Sequence, residues 1–187
     1  MLQWLKTKSH IRRKAGEIYG AVVAAARQPV FFRKYSVPDT PEGRFEMVAL
    51  VLFLVLERVK MSDPDGEALT QGVIEAFVTD MDDCMREMGV GDLTVPKKVK
   101  RAAAAFYERA GHYRSGLSAA TPSAAAVAAG GGLETTLARF VFAGQKAGDA
   151  GAVAIYVGDA VRALAAAGDA DLDGPNLNSF LLARDPA

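Results

Sequence analysis

Asp80, Asp83 and Glu87 stand at i, i+3 and i+7 in FVTDMDDCMRE. On a helix that spacing sets three carboxylates on neighbouring turns. Such a group could draw a hard cation, but hard cations take several oxygens, usually from a loop that wraps them, and no calcium-loop spacing with its glycine is present. A simpler reading is a solvated acidic face with an Asp82–Arg86 pair at i, i+4, worth about a few tenths of a kcal/mol. A third reading gives Asp80, Asp83 and Glu87, with Asp92 beyond them, to contact with a partner.

A second group follows in DLTVPKKVKRAAAAFYERA, where Lys97, Lys98, Lys100 and Arg101 precede Phe106 and Tyr107. Basic residues beside aromatics can bind nucleic acid. Phe106, however, falls on an apolar stripe, and a solvated helix end accounts for the lysines more simply. Their place at a helix start is slightly disfavoured by the dipole, which hints at a use other than stability.

The remaining candidates are isolated. His10 and His112 lie far apart, and a zinc site needs several His or Cys ligands. Cys84 lies on an apolar stripe and reads as an inert core thiol. No nucleophile elbow or phosphate-binding glycine loop appears, and GVGD at 89–92 precedes no strand. The residues thus nominate no catalytic group, no metal and no cofactor, and the expectation is that the chain is not an enzyme.

The elements that must position these groups are helical. The chain has 187 residues, half of them hydrophobic, and a formal charge of zero from 22 basic and 22 acidic residues. That composition supports one core and no overall attraction to a polyanion. The charge is laid down in blocks: net +7 over 1–35, −9 over 36–96, +5 over 97–114 and −3 over 115–187. Blocks of opposite sign either present a basic face to a partner or neutralise one another on folding. The single cysteine excludes an intramolecular disulfide and fits a reducing compartment.

Met47–Leu56, MVALVLFLVL, is the longest apolar run. Ten residues of helix span about 15 Å, half a hydrocarbon core, so the run predicts the buried centre of a bundle rather than a membrane span. Thr40-Pro41 starts this helix and Asp63-Pro64 starts the next. In that next helix Leu69, Val73, Phe77, Met81, Cys84 and Met88 form the expected core stripe. Gly89 and Gly91 stop it, and Pro96 restarts a helix with Val99, Ala103, Phe106, Ala110 and Tyr113 inward. The pattern also predicts helices from His10 to Arg27, Leu133 to Phe142 and Ala150 to Ala167, a loop or short turn over 29–40, and a short element from Asn178 to Leu182. The basic N-terminus lacks the features of a secretory signal; Trp4, Leu2, Leu5 and Ile11 suit either a membrane-surface helix or packing on the bundle. The expected fold is all-α, a compact bundle of about six to eight helices around a central, fully buried helix. Residues 1–117 make the main core, 118–132 an Ala/Gly-rich connection, and 133–187 C-terminal helices that pack on the core.

PDTPEGRFEMVALVLFLVLERVK (38–60) and FVTDMDDCMREMGVGDLTVPKKVKRAAAAFYERAGHYRSGL (77–117) together resemble the ubiquinol–cytochrome c chaperone family, the cytochrome b assembly chaperones of mitochondria and their bacterial relatives. The likeness covers about residues 15–145. It rests on the order Asp39-Thr40, Arg44-Phe45-Glu46, Asp80-Met81-Asp82, Arg86-Glu87, Gly89-Val90-Gly91-Asp92, Val95-Pro96, Lys98 and Phe106-Tyr107. The resemblance implies an all-α, non-catalytic chaperone that binds newly made cytochrome b during assembly of complex III. It implies a cytoplasmic place, or one at the periphery of the inner membrane, with the ribosome or an anionic membrane surface as a further partner. A basic face suits either, and the expectation is that Arg12, Arg13 and Lys14 join Lys97, Lys98, Lys100 and Arg101 in a docking face. Two other classes remain open on the residues: a ribosome- or nucleic-acid-binding helical module, and a helical enzyme without a linear motif.

Overall fold

Thr40 and Pro41 open the helix around which the others are arranged. The Thr40 hydroxyl accepts from the Gly43 amide at 3.1 Å, and Pro41 occupies the first turn, where its missing N–H costs nothing. The computed structural model describes residues 2–62, 65–118, 132–143 and 149–183, with side chains from residue 8 onward. Its helices are α1 (Leu2–Ala26), α2 (Pro29–Arg33), α3 (Pro41–Val59), α4 (Gly66–Glu87), α5 (Val95–Ser118), α6 (Leu133–Phe140), α7 (Ala150–Ala166) and α8 (Gly174–Phe180), with a 3-10 turn at Asp169–Asp171 before α8. No strand occurs among the described residues.

Every residue from Met47 to Leu56 is buried. Helix α3 therefore sits at the centre and touches α1, α4, α5 and α7. Helix α1 lies along α4 and α8, close enough that a methyl group at Gly72 would stand 2.8 Å from the Ala15 Cβ. Helix α6 bridges α5 and α7. Two side chains fasten the C-terminal part: the Gln28 amide donates to the Leu181 carbonyl at 2.8 Å and accepts from the Ala183 amide at 3.0 Å. Arg58 donates to the Ala167 carbonyl at 2.7 Å and to the Asp169 carboxylate at 2.8 Å.

The elements depart from the sequence expectation in several places. α1 is longer than His10–Arg27 and begins at Leu2. Pro29–Arg33, expected as loop or turn, is a short helix that sinks Phe31 into the core. The C-terminal element is Gly174–Phe180, capped by Asp173, rather than Asn178–Leu182. The Asp63-Pro64 start and most of the Ala/Gly-rich connection, 119–131, lie outside the described residues, as do the side chains of Leu2, Trp4 and Leu5. The largest correction concerns the α4 stripe. Leu69, Val73 and Phe77 are buried, but Met81 and Cys84 are only half-buried and Met88 is 64% exposed. The same stripe that enters the core in the first half of α4 leaves it in the second.

A Cβ at Gly43 would lie 2.0 Å from the Pro38 carbonyl oxygen, so Gly43→Ala should lower stability by about 1–3 kcal/mol in urea denaturation. Gly16→Ala, on an exposed helical site with nothing within 4 Å, should raise it by about 0.5–1 kcal/mol. At the other end of α3, Glu57 takes two hydrogen bonds from Arg114, at 2.7 and 3.1 Å, and one from Lys60 at 3.0 Å. Arg114 foremost, against partial burial and with help from Lys60, pulls the Glu57 carboxyl down to about 2. A depressed carboxylate adds stability above its ordinary pKa and loses it on acidification. Stability should therefore fall as pH drops from about 4.5 towards about 2, and Glu57→Gln should flatten that part of the curve. Solvent screening of this half-exposed pair keeps the effect small.

Candidate functional site

Where the α4 stripe emerges, a cleft of about 740 Å³ opens between the N-terminal half of α3, the C-terminal half of α4 and the first half of α5. Its position follows from the helix periodicities. On α4, Met81, Cys84, Met85 and Met88 line one wall at spacings of three and four, and on α5 Lys98, Arg101, Ala102 and Ala105 line the other. Small residues on α5 keep that wall low, while Phe45 of α3 closes the inner end beside the Phe77 ring, which in turn meets that of Phe106. Along α5, from Lys98 to Arg109, the cleft runs about 16 Å, the length of two to three helical turns.

The inner end is braced by an ion pair. Arg109 donates through Nε and Nη2 to the two oxygens of Glu46, both at 2.6 Å, and through Nη1 to the Ala105 carbonyl at 3.0 Å. Its guanidinium lies 5.0 Å from the centre of the Phe140 ring and 5.7 Å from that of Phe45. The pair thus joins α3, α5 and α6 in one contact. Burial pushes the Glu46 carboxyl above the ordinary carboxylate range, opposed by the two bonds from Arg109. The carboxylate in turn holds the guanidinium more firmly charged.

Cations surround the apolar lining. Arg27, Lys98 and Arg101 border the cleft, and none of the three pairs with a described acid; Arg44, also on the border, is paired with Asp39 at 2.7 Å. Asp80 is the acid on the α4 wall, and it accepts from the Tyr19 hydroxyl at 2.7 Å. Burial and this bond together raise the Tyr19 phenol far above its ordinary range. Cys84 also leans on Asp80, and burial with the neighbouring carboxylates pushes its thiol upward, away from thiolate reactivity.

The residues nominated from sequence are distributed among several places. Lys98 and Arg101 line the cleft, while Lys97 and Lys100 are exposed beside it. Arg12 lines a different cleft, between α1 and α4, together with Asp80 and Asp83. Arg13 pairs with Glu17 at 2.6 Å, and Lys14 is half-buried on α1. Arg12 on one side, and Lys98 with Arg101 on the other, therefore line separate clefts on the two sides of α4, with Asp80 on both. Asp80 is held inside the fold by Tyr19, whereas Asp83 and Glu87 are exposed. Arg86 pairs with both Asp82, at 2.6 Å, and Asp92. No group of three His, Cys, Asp or Glu among the described residues is placed to hold a metal ion. Reading the sequence missed Glu46, Arg109 and the methionines as lining residues. The available signal was a glutamate directly before the apolar run Met47–Leu56 and an arginine three residues beyond Phe106.

The model of the family described as ubiquinol-cytochrome C chaperone matches residues 33–174, most of the chain. The crystal structure of the Cbp3 homolog from Brucella abortus is similar at a TM-score of 0.75 and 35% sequence identity, over 95% of this chain and 93% of that one. No curated protein matches.

The Glu46–Arg109 pair yields a stability test. Arg109→Ala leaves a buried carboxylate without its partner and should cost about 3 kcal/mol in urea unfolding. Arg109→Met combined with Glu46→Gln should cost less than Arg109→Ala alone, because neither charge is then stranded.

Proposed function

The chain belongs to the ubiquinol–cytochrome C chaperone family and is an assembly chaperone of the ubiquinol–cytochrome c reductase, complex III; we propose that newly made cytochrome b is its client and that an apolar client segment lies in the α3–α4–α5 cleft. The observation that carries this reading is the second half of α4. Met81, Met85 and Met88, there and at its C-cap, line an open cleft beside Phe45; Met81 also packs on the core, Met85 is half-buried and Met88 is exposed. Methionine is flexible and polarisable, so a methionine-lined groove adapts to apolar segments of different shape. Each Å² of apolar surface covered on binding is worth about 25 cal/mol, a gain the fold itself forgoes by leaving these side chains uncovered. The cleft's length suits two to three turns of helix laid along α4 and α5, the helix-in-groove mode of recognition.

Arg27, Lys98 and Arg101 add orientation. Cations at the border of an apolar groove favour a segment with acidic or carbonyl-rich ends and oppose a basic one. No catalytic step is needed: the binding of an apolar segment until assembly proceeds is the whole of the proposed activity. Asp83, Glu87 and Asp92 stay, in this proposal, on a surface available to a further partner, the ribosome included. No described helix is long and apolar enough to cross a membrane.

Affinity capture from detergent-solubilised cells, with cytochrome b detected by mass spectrometry, tests the reading. The unaltered chain should enrich cytochrome b. Met85→Glu, which puts a carboxylate in the cleft, and Lys98→Glu with Arg101→Glu should each reduce the enrichment about fivefold or more while leaving the helical circular dichroism unchanged. Absence of cytochrome b from the capture, or full enrichment by all variants, would remove the cleft as its site. Enrichment of ribosomal components alone would favour a ribosome-binding module.

A further inference from the structure

The turn between α4 and α5, at one end of the cleft, carries apolar side chains that the described fold does not cover. Leu93 is 94% exposed and Met88 64% exposed. The turn is nevertheless firmly built. Gly89 takes the left-handed conformation at φ +76°, the Val90 amide donates to the Met85 carbonyl at 3.0 Å, and the Gly91 carbonyl accepts from the amides of Thr94 and Val95 at 2.8 and 3.2 Å. Asp92 is drawn back to Arg86 on α4. Val95 is completely buried, which fixes the register of the first turn of α5 and leaves Leu93, two residues earlier, outside. Lys97, Lys98, Lys100 and Arg101 follow at once; all four are exposed, and none pairs with a described acid. The first turn of α5 contains no acidic residue.

We propose that this turn docks the protein on an anionic membrane surface: Leu93 and Met88 enter the boundary between headgroups and acyl chains while Lys97, Lys98, Lys100 and Arg101 meet the phosphates. Neither half of the feature serves the fold. A leucine held in water forfeits its burial, and cations at a helix N-terminus oppose the dipole. An anionic lipid interface satisfies both at once, because apolar side chains enter it and juxtamembrane cations are attracted to it. RNA would satisfy the cations but offers an aliphatic side chain little, since bases stack on aromatic rings and guanidinium planes. Met88, Lys98 and Arg101 belong to the turn and the cleft alike, so a docked turn brings the mouth of the cleft to the bilayer surface.

Purified full-length chain is sedimented with vesicles of phosphatidylcholine, alone or with about one third phosphatidylglycerol, at low and high salt. Binding should require the anionic lipid and weaken with salt. Leu93→Ser should lower the bound-to-free ratio about threefold or more. Lys97→Glu, Lys98→Glu and Arg101→Glu together should lower it about tenfold or more. These exposed positions should leave the circular dichroism unchanged. No binding to anionic vesicles overturns the proposal. Undiminished binding by both variants also overturns it, placing attachment elsewhere, as on Arg12 and Arg13 of α1. A loss confined to the charge variant, with equally salt-dependent binding to RNA, overturns it in favour of a general polyanion patch. Vesicles contain no client, so failure here leaves the chaperone reading standing, and failure to capture cytochrome b in detergent leaves the docking turn standing.

Discussion

A helix that is apolar around its whole circumference has no face it can leave in water. Met47–Leu56 imposes that condition on this chain, and the arrangement of the other helices satisfies it: α1, α4, α5 and α7 each lie against α3. The ends of α3 are fixed by polar devices that the apolar middle cannot supply. Thr40 and Pro41 begin it, close to the Pro38 carbonyl, and Glu57 and Arg58 tie its far end to Arg114 and to the segment after α7.

The cover around the N-terminal half of α3 is incomplete, and the candidate site is there. Glu46 brings a carboxylate to the edge of the core, where it must have a partner, and Arg109 supplies one from α5 while also lying against Phe45 and Phe140. Beyond this brace α4 and α5 continue towards their connecting turn, and Met81, Met85 and Met88 are left lining a cleft. Apolar surface left open beside unpaired cations is costly to stability and useful to binding. The same economy governs the turn itself, where burial of Val95 stabilises α5 and leaves Leu93 in solvent.

Much of this was legible in the residues because it is local. The start at Thr40-Pro41, the stop at Gly89 and the buried character of Met47–Leu56 depend on side chains a few positions apart, and the structure realises each. The ordered motifs also pointed to the family that the comparisons establish. Spacing along α4 correctly identified one face, yet it could not say where on that face the neighbouring helices end; Cys84 and Met88 were read as core for that reason. The chemistry of single residues was legible, and so was a partner one turn away, Asp82 with Arg86; partners far along the chain were not.

What the sequence determined by itself is the longer helices, the one that must be central, and the alternation of charge along the chain. Tertiary structure alone decided which polar groups far apart in the chain meet. Asp80 is bonded to Tyr19, 61 positions away, and Glu46 to Arg109, 63 positions away, while Arg12 and Lys98 line clefts on opposite sides of α4. The physical reason is one of range. Helix formation and capping are settled within a turn or two of the chain, whereas ion pairs, clefts and exposed stripes depend on how far each packed neighbour extends, which is fixed only when distant segments compete to cover the same apolar helix.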